Sequence, residues 1–337
     1  MSLESFQASM VLSAAGNCLG KYFWKMSIDI QEQHVGLSSP VEENIVLHLA
    51  SAEALAKGKC GHNYLHEFAM NCSECMASDM KGRDISNIVL QRISQLQPSN
   101  HMTLFAPFNE RATDSCSAVR ALVIGLRFHK PNHVDELIAT VIESTRMFHH
   151  QPVSYLGALT TALFASFAIQ GREPREWGAG LLAALRLAFQ HIINDGRNTS
   201  ENGQEWQHFE DRWKEYLSLR GIINGENRPK FPKKFKFREE RERFYRRFAL
   251  PRTVHGSCSH DAPLIAYDAL LYSSSWKDLC TYAMQHGGDC RASASIAGGW
   301  WGILHGFDGV PINHYDQVEF KDRLLTAATS IYSISWM

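Results

Sequence analysis

The spacing of apolar residues restricts the fold of this chain more than any other feature of its sequence. Seven long segments place apolar side chains three and four positions apart, which is the period of a helix with one buried face. They read NIVLHLASAEALA, VDELIATVIESTRM, YLGALTTALFASFAIQ, WGAGLLAALRLAFQHII, EWQHFEDRWKEYLSL, APLIAYDALLYS and WKDLCTYAMQ. Few runs alternate as strands do, and Gly, Pro and Asn separate the segments by connections of ordinary length. The sequence therefore predicts an all-α fold.

Length and composition favour one domain. The chain has 337 residues, of which 45% are hydrophobic, and this is enough to bury a large core. No stretch rich in Pro, Ser or Gly is typical of a linker, and no internal repeat stands out. We therefore expect a single compact helical domain over residues 1–337, and we expect it to be a monomer.

The charge and the hydrophobic pattern limit where the protein works. A net charge of −1 disfavours a role in binding nucleic acid. Glu4 stands where a secretory signal would need positive charge. The most apolar segment, 155–169, is short for a membrane span and contains Thr and Ser, so we expect a helix buried on all sides. Eight cysteines suit a reduced compartment, and we expect a cytoplasmic protein without a membrane anchor.

A group of cysteines and histidines between residues 60 and 75 raises the question of a zinc site. The candidate ligands are Cys60, His62, His66, Cys72 and Cys75. The segment has helical periodicity, which places Cys72 and Cys75 one turn apart but carries the two histidines well away along the helix axis. We therefore do not expect zinc here.

A basic segment runs from residue 228 to residue 247. It contains ten Lys or Arg residues against three Glu residues, with Phe and Tyr between them. One interpretation is a docking surface for an anionic partner. The other is a solvated loop and helix start, because exposed charge is common and rarely specific.

In an all-helical protein, a polar site has to be built at loops and helix starts, because helix faces are committed to the core. Three segments precede predicted helices and carry suitable side chains: 39–48, 108–121 and 287–299. Helix N-termini present unpaired N–H groups and a partial positive charge. These segments therefore favour a site for phosphate or carboxylate.

Seven motifs together resemble the ADP-ribosylglycohydrolase family, most closely its ADP-ribosylarginine hydrolase branch. They are MVLSAAGNCLG, PFNE, AVRALVIGLRF, STRMFHHQPVSYLGAL, GIINGENRPKFP, SHDAPLIAYDALL and HGGDCRASASIAGGWWGILHG. The resemblance extends over nearly the whole chain, in the family's order. It implies a compact all-helical bundle that holds a pair of magnesium ions, which position ADP-ribose and a water to release the sugar from a modified arginine. Magnesium ions close together need several carboxylate ligands.

The family takes those ligands from a Ser/Thr-Asp-Asp-Thr segment and a later Asp-x-Asp-Ser/Thr segment, and this sequence departs from both. Aligned on His48, the first segment becomes residues 42–45, and the second begins at Asp289. The positions of lost ligands are occupied by Ile45, Arg291 and Ala292. The residues that remain as candidate metal ligands and catalytic residues are Glu43, Asn44 and Asp289. The resemblance therefore implies a vestigial magnesium site, with binding weak or absent.

The resemblance also implies a set of substrate-binding residues. These are Asn17, Ser115, Cys116, Ser117, His149, Tyr155 and Asp261. The family's glycine-rich phosphate loop reads TDSCSAVR here, where Asp114 would repel a diphosphate and side chains fill space that glycine leaves open. For His149, Tyr155 and Asp261, a purely structural role is the alternative.

These departures predict a pseudohydrolase that acts by binding a partner or a nucleotide, such as ADP-ribose or an ADP-ribosylated protein. The alternative is an active ADP-ribosylarginine hydrolase with weakened metal dependence. We expect the Arg291 guanidinium to pair with Asp289 or Glu43, so that a cavity built for cations keeps a compensating charge. The fold should then survive without magnesium.

Overall fold

Helices account for the regular structure. The computed structural model describes residues 1–26, 40–97, 100, 103–231, 235 and 238–336. Their α-helices are α1 (Leu3–Met26), α2 (Glu43–Ala56), α3 (Gly61–Ala77), α4 (Asn87–Gln95), α5 (Cys116–Arg120), α6 (Leu122–Arg127), α7 (Val134–Arg146), α8 (Pro152–Ile169), α9 (Pro174–Asp195), α10 (Thr199–Arg220), α11 (Arg238–Arg246), α12 (Asp261–Tyr272), α13 (Trp276–Met284), α14 (Cys290–His305) and α15 (Lys321–Ser335). Within these described ranges there is no β-strand, only a single bridge between Asp114 and Cys258. The prediction of an all-α fold is confirmed.

Helix α8 forms the centre of the core. Every one of its residues is buried, as expected for a helix that is apolar on all sides. Its 18 residues are long and apolar enough to cross a membrane, but the whole helix lies inside the fold. Its burial, rather than its length, identifies it as a core helix.

Glycines bring α1 and α14 into close contact. A Cβ atom on Gly16 would lie 2.2 Å from the carbonyl oxygen of Ala294, and one on Gly298 would lie 2.3 Å from that of Leu12. Only hydrogen in place of a side chain permits this approach. The contact fixes the start of α14, which carries Asp289 and Arg291, beside the part of α1 that carries Asn17.

A buried ionic cluster joins α10, α11 and α12. The Asp268 carboxylate accepts hydrogen bonds from Nε and Nη2 of Arg220 at 2.6 and 2.8 Å. The hydroxyls of Tyr216 and Tyr245 donate to the same carboxylate at 2.7 and 2.8 Å. Each charge is thereby compensated within the core, which a buried ion pair requires.

The basic segment 228–247 is only partly described, because residues 232–234 and 236–237 lie outside the described residues. Two of its exposed arginines are paired with acids: Arg246 with Glu242, and Arg247 with Glu215. Arg241 is buried and donates to the carbonyl of Gln285. An anionic partner for this segment stays a prediction.

The cysteine and histidine group at 60–75 lies along α3, as expected. Cys72 and Cys75 are buried in the core, whereas Cys60 is exposed at the start of the helix. In the part of the chain that the structure describes, the metal-ligating side chains that come together in a group are instead Cys258, His260 and Asp261.

Candidate functional site

The three loop and helix-start segments meet at one cleft of about 480 Å³. Its walls are formed by residues 42–44 at the start of α2, residues 111–116 before and at the start of α5, and Asp289 with Arg291 at the start of α14. Residues 84–86 and parts of 253–258 complete the lining. A groove of about 750 Å³ lies between α9 and α10, and among the described residues that line it the titratable side chains are those of Arg186, Glu210 and Lys214. The smaller cleft contains more titratable side chains and is therefore the candidate functional site.

Arg291 is held by two carboxylates at the wall of the cleft. Its Nε and Nη2 donate to the two oxygens of Asp289 at 2.9 and 2.6 Å, and its Nη1 donates to Oε1 of Glu42 at 3.2 Å. Burial by itself lowers the pKa of Arg291, but the two acids outweigh it and hold the pKa above its ordinary value. The guanidinium is therefore a permanent cation in this wall.

The expected pairing of Arg291 with Asp289 is thus present, and the second acid that pairs with it is Glu42. Asp289 also caps α14, because its Oδ1 accepts a hydrogen bond from the Arg291 N–H at 3.1 Å. Gly287 has φ +86° in the preceding turn, a conformation that favours glycine. The turn aims the carboxylate into the cleft.

Asn17 ties the start of α2 to α1. Its Nδ2 donates to Oδ1 of Asn44 at 3.2 Å, and its Oδ1 accepts from the Glu42 N–H at 3.1 Å. The side-chain oxygen of Asn44 is therefore already hydrogen-bonded to Asn17. Ile45 and Ala292 are buried in the core.

Glu43 is a half-buried acid whose carboxyl accepts a backbone hydrogen bond. Its Oε2 accepts a hydrogen bond from the Ser86 N–H at 2.7 Å. Burial raises the pKa of Glu43 to about 7, with the negative charges of Asp114 and Glu42 adding to the effect. Near neutral pH this carboxyl is therefore about half protonated.

Asp114 lines the cleft just before the start of α5. Its Oδ2 lies 2.7 Å from Nε2 of the buried His149, and its Oδ1 accepts from the Cys116 N–H at 3.1 Å. Burial alone would raise the pKa of Asp114, but His149 and the Cys116 N–H lower it below its ordinary value. Asp114 therefore carries a negative charge at neutral pH.

The substrate-binding candidates divide into two groups. Ser115 and Cys116 line the cleft, and His149 contacts it through Asp114. Ser117 is buried, with its Oγ 2.8 Å from that of Ser259. Tyr155 is buried and donates its hydroxyl to Asn202 at 3.1 Å.

Asp261 is fully buried and stabilises a turn. Its oxygens accept hydrogen bonds from the N–H groups of Gly256 and Cys258 at 2.9 and 3.2 Å. Burial raises the pKa of Asp261 to about 7. These contacts explain why Cys258, His260 and Asp261 lie together, and they position Cys258 in the cleft wall.

Sequence reasoning missed several lining residues, namely Asp84, Ser86, Arg111, Thr253, Ser257 and Cys258. Ser86 caps α4 by accepting from the Val89 N–H at 3.3 Å, so an N-cap signal for that helix was available in the sequence. Nothing local places residues 253–258 beside Asp114. The contact arises from the bridge between Asp114 and Cys258.

The side chains of Glu43, Asn44 and Asp289, the candidate metal ligands, do not fit a pair of magnesium ions. Magnesium requires near-octahedral coordination by hard oxygens. Here Asp289 is paired with Arg291, and Asn44 is hydrogen-bonded to Asn17. Glu43 accepts a hydrogen bond from the Ser86 N–H, and with a pKa of about 7 it is only about half ionised near neutral pH. A fixed guanidinium at the same wall would repel a divalent cation.

Comparisons with known proteins agree with the fold and with the motifs. The ADP-ribosylglycohydrolase family model matches residues 2–335. The chain is 30% identical to ADP-ribosylhydrolase ARH1 of Dictyostelium discoideum over 97% of its own length and 93% of that protein. It is similar in fold to a solved ADP-ribosylglycohydrolase-related protein complex, with a TM-score of 0.59 and 11% identity over 99% of this chain and 98% of that one. With its helical architecture and its cleft at the expected helix starts, the chain belongs to the ADP-ribosylglycohydrolase family.

Proposed function

We propose that this protein is a pseudohydrolase, which keeps the family's cleft for binding a partner but has lost magnesium-dependent hydrolysis of ADP-ribosylarginine. Members of the family act on ADP-ribosylated substrates. The observation that carries the proposal is the ion pair between Arg291 and Asp289, with donor–acceptor distances of 2.6 and 2.9 Å. A carboxylate that already accepts two hydrogen bonds from a guanidinium is a poor ligand for magnesium.

Two further features of the cleft support the proposal. Asp114 stands in the position of the phosphate loop and is ionised, so it disfavours a diphosphate close to the backbone there. The hydrocarbon side chains of Ile45 and Ala292 cannot coordinate a metal ion, and both are packed into the core. The proposed losses of magnesium ligands and of the phosphate loop therefore lie in three separate segments of the chain.

An enzymatic alternative has one specific observation in its favour. Glu43, with a pKa of about 7, and the ionised Asp114 line the same cleft, and two carboxyls with separated pKa values are suited to general acid and base roles. A weak hydrolase that depends little on metal would use this pair. We place this alternative second because hydrolysis also requires a bound substrate, which the charge of the cleft disfavours.

The deciding experiment is a hydrolysis assay on an ADP-ribosylated arginine substrate with saturating magnesium and, separately, with EDTA. An active member of the family serves as the positive control. We expect no release of ADP-ribose in either condition. Turnover that requires magnesium would contradict the proposal, and turnover in EDTA would favour the acid–base alternative.

The compartment is part of the same proposal. The eight cysteines are thiols that form no disulfide among the described residues, which suits a reducing environment such as the cytoplasm. Localisation of a fluorescent fusion tests this directly. A secreted or lumenal signal would contradict it.

A further inference from the structure

Three side chains that can ligate a metal ion come together where the loop before α12 joins the helix. They belong to Cys258, His260 and Asp261, and one ligand atom from each lies within 4.8 Å of those from the other two. All three residues are buried, with exposed fractions of 2%, 1% and 0%. None of them belongs to the segments 42–45 and 289–292, so the group is separate from the candidate magnesium ligands.

The turn before α12 holds two of these side chains in place. The Asp261 carboxylate accepts hydrogen bonds from the N–H groups of Gly256 and Cys258 at 2.9 and 3.2 Å, and its two oxygens have further lone pairs. The Cys258 thiol makes weak contacts, at 3.7 Å to Oγ1 of Thr113 and at 3.9 Å to Oγ of Ser257. Both groups can therefore bind a further partner without losing a strong hydrogen bond.

The imidazole of His260 supplies the observation that points to a ligand. Its Nε2 lies 2.8 Å from the carbonyl oxygen of Phe248, and because a carbonyl oxygen only accepts, Nε2 must carry the proton. Nδ1 then has a lone pair, and it is buried without a hydrogen-bond partner among the described residues. Such an acceptor is unusual in a native structure. A histidine that binds a metal through one ring nitrogen donates its other N–H to a backbone carbonyl in this way.

The donor set selects the class of metal ion. Thiolate, imidazole and carboxylate are ligands of zinc, whereas magnesium and calcium prefer oxygen ligands throughout. One thiolate and one carboxylate also neutralise the two charges of a zinc ion, so the buried site keeps no net charge. Ligand atoms around tetrahedral zinc are about 3.4 to 3.6 Å apart, so these side chains need to draw together by at most about 1.4 Å.

Cys258 connects this group to the cleft. It lines the cleft and forms a bridge with Asp114, next to which the Ser115 N–H donates to the carbonyl of Ser257 at 3.1 Å. The cleft therefore gives an ion a path to the thiol, as a functional metal site requires. Three protein ligands are also the number found in zinc sites that keep a fourth position for water or a small ligand.

We propose that Cys258, His260 and Asp261 bind one zinc ion at the wall of the cleft, through Sγ, Nδ1 and a carboxylate oxygen. The ion joins the loop before α12 to the first residue of the helix, and it supplies the missing partner of the His260 Nδ1. Because the ligands are brought together only in the folded chain, zinc should stabilise the native state. The inference does not depend on the loss of hydrolysis.

The test measures metal binding to the full chain after removal of bound metal with EDTA and dialysis in a thiol-free reductant. Zinc is titrated in competition with a chromogenic chelator, and cobalt(II) replaces it as a spectroscopic probe of thiolate ligation. The variants are Cys258→Ala, His260→Gln and Asp261→Asn; the last two keep a donor for the Phe248 carbonyl and an acceptor for the turn. Cys60→Ser, at an exposed cysteine of the group at 60–75, is the matched control. Thermal unfolding confirms that each variant is folded.

We expect the wild type to bind one zinc ion, each of the three variants to bind it about a hundredfold more weakly, and Cys60→Ser to bind it unchanged. Zinc should raise the unfolding midpoint of the wild type and of Cys60→Ser alone. If a variant does not fold, the cobalt spectra of these two proteins decide, because both should show a thiolate charge-transfer band. Absence of that band, no zinc binding at micromolar concentration, unchanged binding by Cys258→Ala, loss of binding by Cys60→Ser or displacement by millimolar magnesium would each overturn the inference.

Discussion

The Asp289 carboxylate binds the guanidinium of Arg291 two residues later through two hydrogen bonds of 2.6 and 2.9 Å, and it caps α14 with the same side chain. One acid therefore serves both as a helix cap and as the partner of an internal cation. Glu42, 249 residues away in the sequence, completes the cation's environment.

Removing this cation should destabilise the fold. We expect Arg291→Ala to lower the free energy of unfolding by about 1 to 2 kcal/mol, because two partly buried acids lose their partner. The side chain is 33% exposed, so solvent screening keeps the loss below that of a fully buried pair. Urea denaturation measures it. Arg291→Lys retains the charge but not the planar fork, and should cost less; a loss for Arg291→Ala below about 0.3 kcal/mol would contradict the pairing.

Magnesium should not stabilise the protein. A ligand raises the melting temperature only when it binds the native state at the concentration used, and the candidate ligands here are committed to other partners. Thermal unfolding with EDTA and with millimolar magnesium should give the same midpoint. A clear rise with magnesium that is absent with a matched sodium salt would show an intact metal site.

One substitution should not restore the family's hydrolysis. Arg291→Asp still leaves Asn44, Ile45 and Ala292 at ligand positions. When several residues act as one catalytic unit, the effects of their substitutions on activity are not additive, so repairing one of them recovers little. We expect no turnover of ADP-ribosylarginine by this variant. Turnover by it would mean that the site is nearly intact.

A combined repair should recover magnesium binding in calorimetry. It consists of Glu43→Asp, Asn44→Asp, Ile45→Thr, Arg291→Asp and Ala292→Ser. Ile45 is completely buried, so its hydroxyl replacement costs stability unless a metal ion or a hydrogen bond satisfies it. The unfolding midpoint of the repaired protein should therefore depend on magnesium. Absence of binding in a folded repaired protein would contradict the alignment of the two ligand segments.

Glu43 should make stability fall as pH rises. Its folded pKa of about 7 lies above the ordinary 4.5, so the native state holds a proton that the unfolded state releases between these values. The cost of ionising this half-buried acid is therefore absent below pH 4.5 and fully present above pH 7. Glu43→Gln should gain about 1 to 3 kcal/mol relative to the wild type between pH 4.5 and pH 8. Denaturation of both proteins across this range measures it, and a constant difference would contradict the raised pKa.

Asp268 should be critical for stability. Asp268→Ala leaves the buried Arg220 without its carboxylate and removes the acceptor of two tyrosine hydroxyls, so we expect a loss of about 3 to 5 kcal/mol. The double variant Arg220→Met, Asp268→Leu removes both charges and should recover much of the loss. Chemical denaturation compares the two. A single variant as stable as the wild type would show that the cluster contributes little.

Local sequence patterns determined the helices and the helix-start segments of the cleft. The helical period and the punctuation by Gly and Pro predict the all-α fold, and the uniform hydrophobicity of the segment at 155–169 predicts the buried helix α8. The change from a second acid to Arg291 predicts a pair with Asp289, because residues two apart at a helix start lie within reach of each other. Such features depend on neighbours along the chain.

Only the tertiary structure decided which groups meet across the cleft. Glu42 rather than the neighbouring Glu43 is the second acid that pairs with Arg291, because the first turn of α2 directs the Glu43 carboxyl to the Ser86 N–H. Tyr155 lies in the core beside Asn202, although its motif matches the family. These outcomes depend on the direction of each side chain once helices from distant parts of the sequence have packed, and no local pattern in the sequence encodes that direction.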